Sequence, residues 1–438
     1  MLAPRTPSRT SRASQASPTS QRLALAAVPA VSLLLLGLTT APASAGTARG
    51  ADCGPAADGA SAYAQSSGTV HEDRAAFASA TSDESAVLVT GGELFLRHST
   101  VAKTGDSSSA QSSSFTGLNA GVLVNNGGAA HLDHTSVTTN GLGANGVFAT
   151  GSTSVLTMTG CSITTTGQGA HGADATHGAT LSLRDVDVST HGASSSAIAT
   201  DQGGGTVDVR GGHIVGDGER TAGIYSTGDI TVHGADVTSV QDKGGVIDGA
   251  NSITLDHARL TGALGGFMLW NTLPFREGID TVKVDGGAVT AESGDLFYVT
   301  NTESDITVSD GARLVHPEGA LVDADKASVV RFTGERVRLH GDITASSDSS
   351  VTATLEDGAA LTGTITHAAL ALASGGHWTV TGDSALTSLT GAEIHGDRIT
   401  GITGNGHTVT YDASLAANSA LGGLTYRLAG GGILTPAS

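Results

Sequence analysis

The stretch that decides the fold is residues 121–192, which read GVLVNNGGAAHLDHTSVTTNG from Gly121, GVFATGSTSVLTMTGCSITTTG from Gly146 and GADATHGATLSLRDVDVSTHG from Gly172. One unit is thus repeated three times. Each copy has three short alternating runs separated by turns rich in Gly, Asn, Ser and Thr. A fixed period of roughly 20–50 residues indicates a solenoid, and three short strands per period are typical of a parallel β-helix coil.

The third run of each unit sets the spacing of the coils along the chain. Its inward apolar position falls at Val137, Ile163, Val188, Ile214, Val237, Leu260, Val289 and Leu314, with successive spacings of 23 to 29 residues. Because the pattern extends from Ala86 to Gly363, we expect an all-β fold that is a single right-handed parallel β-helix of about 11 coils of about 25 residues. The content of 62 Gly and 3% aromatic residues is consistent with tight corners and a narrow core.

The two ends of the chain lack the coil pattern. Residues 1–45 have a basic start, an apolar run at Leu23–Leu38 and the sequence Ala43-Ser44-Ala45, which predicts a signal peptide for the general secretory pathway. The apolar run is too short for a membrane anchor. We therefore expect an extracellular or cell-surface protein with no transmembrane segment after cleavage. Residues 46–85 are predicted to be an N-terminal cap or tether.

Charge and cysteine content limit the partners further. Loss of the four arginines in residues 1–45 takes the formal net charge from −19 to about −23. Nucleic acid would be repelled, so no nucleic-acid partner is expected. Cys161 lies within a coil and Cys53 precedes the first clear coil. Coils are nearly 5 Å apart and a disulfide holds Cα atoms within about 7 Å, so we expect both cysteines to be free.

The region after the coils carries a short motif. GGHWTVTGDSALTSLTGAEIHG, from Gly375, resembles the Trp-containing segment near the C-terminal end of pertactin-like autotransporter passengers, with matches at Trp378, Thr381, Gly382, Ser384 and Leu389. In that family the segment caps the β-helix. The resemblance therefore implies a β-helix with a C-terminal β cap over residues 364–438. Unlike the family, the sequence shows no C-terminal membrane β-barrel pattern.

Parallel β-helices also serve as scaffolds for polysaccharide-cleaving enzymes. Such enzymes need clustered carboxylates, as glycoside hydrolases do, but the polygalacturonase signatures N-T-D, D-D, G-H-G and R-I-K are absent and the acids are spread singly. The 16 His residues lack H-x-H and H-E-x-x-H spacings. We therefore expect no catalytic residues, no metal site and no cofactor. If an enzyme did exist on this scaffold, its acids would be centred near Asp174 and Asp201.

One feature of the first strands is not required by the repeat. If Val122, Val124, Val147 and Ala149 point inward, alternation places one residue per coil outward. The predicted outward residues are Leu123, Phe148, Asp174, Ile198, Tyr225 and Ile247, and Trp270, Phe297 and Tyr298 fall in or beside the same row. The candidate ligand-binding residues are Phe148, Asp174, Tyr225, Trp270, Phe297 and Tyr298. Alternatively, the insertion at residues 270–280 or the N-terminal segment covers this row and buries it.

Three functions remain open on this basis. The first is a non-catalytic, adhesin-like secreted or surface protein that contacts a host or neighbouring-cell protein or glycan. The second is a β-helix polysaccharide lyase or glycoside hydrolase. The third is a structural envelope component, for which self-association is the expected property.

Overall fold

The computed structural model describes residues 60–272 and 278–437. They form a single parallel β-solenoid of about 15 turns with almost no helix, which confirms the predicted all-β class. The predicted signal peptide and Cys53 lie outside the described residues. Within them, neither helix is long and apolar enough to cross a membrane.

Each turn up to the one that begins at Ile343 contributes one strand to each of three sides of the solenoid, which we call the first, second and third sheets in chain order; the later turns contribute strands to the second and third sheets. The strands of the first sheet are Ala60–Gln65, Glu84–Val89, Val122–Val124, Val147–Thr150, Ala173–Thr176, Ile198–Thr200, Ile224–Ser226, Gly245–Asp248, Phe267–Trp270, Phe297–Thr300, Val322–Asp325 and Ile343–Ala345.

The second sheet follows after a short turn. Its strands are Thr69–Asp73, Glu93–Arg97, Ala129–Asp133, Val155–Thr159, Thr180–Arg184, Thr206–Arg210, Asp229–His233, Ser252–Asp256, Asp280–Asp285, Glu303–Ser309, Val329–Glu335 and Ser350–Glu356, then Ile365–Leu372, Ser384–Thr390, Thr408–Tyr411 and Ile433–Pro436. Ile365–Leu372 also pairs with the last strand of the first sheet.

The third sheet completes each turn. Ten strands form one continuous ladder: Ala76–Ser79, Thr100–Lys103, Ser136–Thr139, Ser162–Thr165, Asp187–Thr190, His213–Gly216, Asp236–Ser239, Arg259–Gly262, Ala288–Ala291 and Arg313–Val315. The same side of the solenoid continues in a separate ladder of Arg338–His340, Ala360–Gly363, His377–Val380, Arg398–Thr403 and Tyr426–Ala429. The remaining elements are the short strand Ile394–His395, an α-helix at Ala110–Thr116 and a 3-10 helix at Ala416–Leu421.

The register of the third sheet agrees with the spacing found in the sequence. All eight predicted inward positions, from Val137 to Leu314, are direct partners on successive coils. Seven of them are buried and Leu314 is partly buried. A single core of mainly Val, Ile, Leu and Ala follows from this alignment, since every coil places small apolar side chains above those of its neighbour.

The coils start earlier and end later than the sequence indicated. Residues 60–79 already form three strands that pair with the next coil. Each of these strands places only one apolar side chain against the core, namely Tyr63, Val70 and Phe77. The sequence of residues 60–79 therefore alternates only weakly between apolar and polar residues. At the other end, parallel pairing continues past Gly363 to the partners Tyr411 and Pro436. The coil count therefore exceeds the predicted eleven.

Glycine at the corner after the third strand is required by close approach. A Cβ atom at Gly167 would lie 1.8 Å from the carbonyl oxygen of Gly141 on the coil below, and one at Gly192 would lie 1.9 Å from that of Gly167. Contacts of this length are not possible for a side chain, so this corner stacks backbone directly on backbone.

The Trp-containing segment is part of the late coils. Trp378 is fully buried, aligns with Leu361 and Ile402, and donates from Nε1 to the carbonyl oxygen of Gly363 at 2.9 Å. Beyond it, Tyr426–Ala429 and Ile433–Pro436 pair with each other antiparallel. Cys161 is a free, buried thiol, and burial raises its pKa.

Candidate functional site

The outer side of the first sheet carries a continuous row of residues, one per coil. We call it the outer row. It runs through Leu88, Leu123, Phe148, Asp174, Ala199, Tyr225, Val246, Met268, Tyr298, Asp323 and Thr344. The predicted row is thus correct at Leu123, Phe148, Asp174, Tyr225 and Tyr298.

Three predicted members of the row point inward instead. Ile198 aligns with Ala173 and Ile224, and Ile247 with Ser226 and Leu269. Phe297 aligns with Phe267, stacks on it with ring centroids 5.5 Å apart, and is fully buried in the core. Alternation determines which residues of one strand lie on the same side. The loops between coils vary in length, however, and a difference of one residue moves the next strand's inward residues to the position where outward ones were expected. Phe297 is therefore a core residue and not a ligand contact.

The lower part of the outer row is covered by the chain itself. The covering segment is residues 104–120, which we call the Ser-rich loop. Leu88, Leu123 and Phe148 form a small apolar cluster with Ala120 of this loop, separate from the main core. Phe148 has no exposed surface. Phe148 is therefore not exposed for contact with a ligand. The chain does cover the row here, but the covering segment is the Ser-rich loop, and the sequence had suggested the insertion at residues 270–280 or the N-terminal segment.

Local sequence explains why the Ser-rich loop is ordered. Its helix, Ala110–Thr116, begins where Ser109 Oγ accepts from the Ser112 N–H at 3.1 Å, and ends at Gly117 in the left-handed region with φ 74°. Both are common helix-capping devices. Asn145 Nδ2 donates to the carbonyl oxygen of Ser113 at 2.9 Å, and Thr176 Oγ1 donates to that of Phe115 at 3.0 Å.

A buried group of titratable side chains lies immediately above Phe148. His171, Asp174 and Asp201 each offer one ligand atom, and these atoms lie within 4.8 Å of one another. His171 Nε2 is 3.4 Å from Asp201 Oδ2. The exposed fractions are 8% for His171, 0% for Asp174 and 8% for Asp201. We call these three residues the His-Asp-Asp cluster.

The fold positions each member of this cluster. Asp174 lies on the outer row, and His171 lies three residues earlier, in the turn that leads into the same strand. The backbone N–H of His171 donates to Asn145 Oδ1 at 2.7 Å, so the residue that holds the Ser-rich loop also holds this turn. Asp201 follows Ile198–Thr200 on the next coil.

Hydrogen bonding leaves the cluster incompletely satisfied. Neither carboxylate oxygen of Asp174 has a hydrogen-bond partner among the described residues, and the same holds for His171 Nδ1 and Asp201 Oδ2. The backbone N–H groups of Asp201 and Ala175 act on Asp174 as weak hydrogen-bond donors that favour its ionised form, but neither contact meets the distance and angle of a full hydrogen bond. Buried polar atoms are normally satisfied, so this group differs from a structural network.

The electrostatics of the cluster follow from its burial. Desolvation, followed by repulsion from Asp201, raises the pKa of Asp174 well above its usual value. For His171, desolvation alone would lower the pKa, but its interactions with Asp201 and the charge of Asp174 outweigh this and raise that pKa to about 9. The two carboxylates therefore compete for one imidazolium.

Farther along the first sheet, the outer side is partly open to solvent. Tyr225, Trp270 and Tyr298 are half-buried. Tyr225 Oη donates to Asp248 Oδ2 at 3.4 Å, and Tyr298 Oη donates to Asp325 Oδ2 at 3.0 Å. Trp270 lies between them, aligned with Asp248 on one side and Thr300 on the other. We call Tyr225, Trp270, Tyr298, Asp248 and Asp325 the aromatic patch.

Asp280 lies next to this patch at the start of a second-sheet strand. It is fully buried and accepts a hydrogen bond at Oδ2 from Thr302 Oγ1 at 2.9 Å. Burial, with a contribution from the charge of Asp248, raises the pKa of Asp280 to about 7.

The sequence indicated Asp174 and Asp201 as the acids around which an enzyme on this scaffold would be centred, but it missed His171 beside them and an aromatic stack on the second sheet. The His-Asp-Asp cluster combines the local spacing His171-x-x-Asp174 with an acid 27 residues after Asp174, which is about one coil length; a search at the coil period that included His residues would have found all three. An outer stack of His71, Phe95 and His131 on the second sheet has ring centroids 4.6 Å apart. It extends across three coils in register.

Shallow depressions on the described surface do not coincide with either site. One of about 460 Å³ is lined on the second sheet by residues that include Ser182, Arg184, Asp208 and Arg210. Another of about 400 Å³ is lined by residues that include His257, Arg259 and Arg313. Both are open and are edged by charged side chains, so they read as solvated surface between neighbouring strands.

Comparison with known proteins gives one similarity that bears on this fold. The chain is 25% identical over 319 residues to the BrkA autotransporter of Bordetella pertussis, and the match covers 68% of this chain and 29% of that protein. The chain thus spans less than a third of the length of the relative it matches. No known protein-family profile matches the chain. Together with the parallel β-solenoid, the similarity fits a pertactin-like autotransporter passenger.

Proposed function

We propose that this chain, which has the β-solenoid and the sequence similarity of a pertactin-like autotransporter passenger, works as a non-catalytic, adhesin-like protein at the cell surface. The similarity and the fold support a secreted or surface β-helix protein. The adhesin-like role is our inference, and it rests on the aromatic patch.

The aromatic patch has the chemistry of a contact surface. Tyr225, Trp270 and Tyr298 are partly exposed residues on one side of the first sheet, on coils where the Ser-rich loop no longer covers it. Aromatic rings stack on sugars and are frequent anchors in protein interfaces. Asp248 and Asp325 accept hydrogen bonds from the hydroxyl groups of Tyr225 and Tyr298 and so hold the two rings in place. A protein with 3% aromatic residues has placed three of them together.

The net charge limits the partner. With a formal charge of −19 for the whole chain, long-range repulsion disfavours strongly anionic ligands. The partner that fits is a neutral or basic glycan, or a neutral or basic protein surface, on a host or neighbouring cell.

The enzyme alternative has less support. Asp174 and Asp201 do lie together, as expected for an enzyme on this scaffold, but their exposed fractions are 0% and 8%. Glycoside hydrolysis needs two carboxylates on either side of a bound sugar, separated by at least about 5 Å. Buried carboxylates with ligand atoms within 4.8 Å leave no room for a sugar between them.

Binding of the purified chain to a glycan and surface-protein array tests the proposal. A variant that combines Trp270→Ala with Tyr298→Ala is expected to lose the array signal, whereas the matched control Phe95→Ala, in the stack on the second sheet, is expected to keep it. Equal binding by both variants would refute the aromatic patch as the contact surface. A polysaccharide-degradation screen and sedimentation analysis run in parallel; release of reducing ends would favour the enzyme, and concentration-dependent assembly without ligand would favour an envelope component.

A further inference from the structure

We propose that His171, Asp174 and Asp201 form a binding site for one divalent transition-metal ion, Zn²⁺ or Mn²⁺, beside the Ser-rich loop. This inference is independent of the aromatic patch, which lies on later coils.

The three ligands converge from rigid parts of the solenoid. Asp174 lies within the strand Ala173–Thr176, and Asp201 follows the strand Ile198–Thr200 on the neighbouring coil. His171 is fixed through its backbone by Asn145. Their ligand atoms lie within 4.8 Å of one another. Two ligands of one zinc ion lie at most about 4.2 Å apart, twice a bond length of about 2.1 Å, so small side-chain rotations close the site.

The unpartnered atoms are the observation that points to an ion. Asp174 is fully buried, and neither of its carboxylate oxygens has a hydrogen-bond partner among the described residues. Asp201 Oδ2 faces the same space, 3.4 Å from His171 Nε2. Two buried carboxylates with one imidazole between them are poorly stabilised by hydrogen bonds alone. A dication neutralises both carboxylates and supplies a partner for their oxygens.

The ligand types select the class of metal. One imidazole nitrogen with two carboxylate oxygens suits zinc or manganese better than calcium, which prefers six to eight oxygen ligands. Several other His–Asp pairs in the described part of the chain are exposed to solvent, unlike the His-Asp-Asp cluster. His213 and Asp187, for example, are 3.1 Å apart, but both are largely exposed, so water satisfies them.

The alternative is that the His-Asp-Asp cluster binds no metal. In that case Asp174 stays protonated, and His171 and Asp201 form a simple buried ion pair. The two outcomes differ in metal content, in the effect of chelators and in the response to Asp174→Asn.

Metal titration of the full chain tests the site. Protein stripped with a chelator and dialysed is titrated with ZnCl₂, MnCl₂, CaCl₂ and MgCl₂ by calorimetry. We expect one equivalent of Zn²⁺ or Mn²⁺ to bind and to raise the melting temperature, and we expect at least a tenfold preference over Ca²⁺ and Mg²⁺. Cobalt(II) substitution gives a visible absorption band that reports the ligand field of the bound ion directly.

Variants then locate the bound ion. Asp174→Asn and His171→Gln are expected to weaken binding at least a hundredfold, while the exposed control His213→Gln leaves it unchanged. Circular dichroism checks that each variant retains the solenoid. Wild-type protein that binds no equivalent of Zn²⁺ or Mn²⁺ would overturn the proposal, as would undiminished binding by Asp174→Asn. Because the wild-type titration needs no variant, the proposal remains testable even if a variant fails to fold.

Discussion

Phe148 and Asp174 are register partners on adjacent coils of the first sheet, and both side chains are fully buried although both lie on its outer side. The Ser-rich loop, a segment outside the coils, packs against Phe148, while the carboxylate of Asp174 is buried beside His171 and Asp201. The Ser-rich loop therefore acts as part of the fold over the lower outer row, whereas farther along the same row the aromatic patch remains partly open. Covered and open regions on one sheet lead to separate predictions.

Phe148→Ala is expected to destabilise the lower coils by about 3 kcal/mol, because it opens a cavity beneath the Ser-rich loop. The loop should also become a preferred site of limited proteolysis around residues 107–117. The guanidinium unfolding midpoint and the cleavage pattern measure the two effects. Phe95→Ala, in the outer stack of the second sheet, is the control, and about 1 kcal/mol is expected there. Equal losses for both variants would show that the loop does not bury Phe148.

Gly117→Ala is expected to loosen the Ser-rich loop. Gly117 has φ 74°, and a Cβ there would lie 2.5 Å from Phe148 Cδ1 and 2.6 Å from Leu123 Cδ1. Gly311→Ala is the control, because Gly311 has a similar φ of 70° and a Cβ atom there would have nothing within 4 Å. The control should lose only the stability that backbone strain costs, about 1 kcal/mol. Overpacking should cost Gly117→Ala a further 1–3 kcal/mol or so. Thermal unfolding of the two variants side by side isolates the contact; indistinguishable melting temperatures would contradict it.

Asp280 should make the protein less stable as pH rises. The pKa of Asp280 is raised to about 7 in the folded state, and an unfolded Asp has a pKa of about 3.9. The folded state therefore binds the proton more tightly, so the free energy of unfolding falls between about pH 4 and pH 7 and the full cost is present above that.

Asp280→Asn removes this cost, since the amide stays neutral and Oδ1 still accepts from Thr302. We expect the variant to be more stable than wild type at pH 8, by up to about 4 kcal/mol, and nearly equal to it at pH 3.5. Unfolding curves across this pH range measure the difference. The exposed acid Glu318 provides the control as Glu318→Gln, and a pH dependence unchanged in Asp280→Asn would rule out the raised pKa.

Trp378 should be a stability determinant of the last coils. Trp378→Ala is expected to cost about 3–5 kcal/mol through cavity formation. Trp378→Phe keeps most of the apolar volume and removes the Nε1 bond to Gly363, for about 1–3 kcal/mol. Hydrogen exchange of residues 360–411 locates the effect, because repeat arrays unfold locally. Loss of protection spread evenly from Ala60 onward would argue against a local role.

The sequence predicted the residues of the core well and the residues of the outer surface poorly. The third-strand positions Val137 to Leu314 were assigned correctly because each coil repeats the same inward apolar residue. Phe297, Ile198 and Ile247 were assigned to the wrong side, because coil lengths vary from one turn to the next and one residue reverses the direction of every side chain in a strand. The first coil was missed because only Tyr63, Val70 and Phe77 mark it.

The sequence alone determined the parallel β-solenoid, its coil spacing and the apolar core, since a local period of alternation is enough to define strands that stack on copies of themselves. Tertiary structure decided which outer residues are exposed. Whether Phe148 contacts solvent depends on the path of residues 104–120, and whether His171, Asp174 and Asp201 meet depends on the register between two coils. Both are set by contacts between residues on different coils. No local pattern records the path of the loop, and the cluster becomes visible in the sequence only when residues one coil length apart are compared.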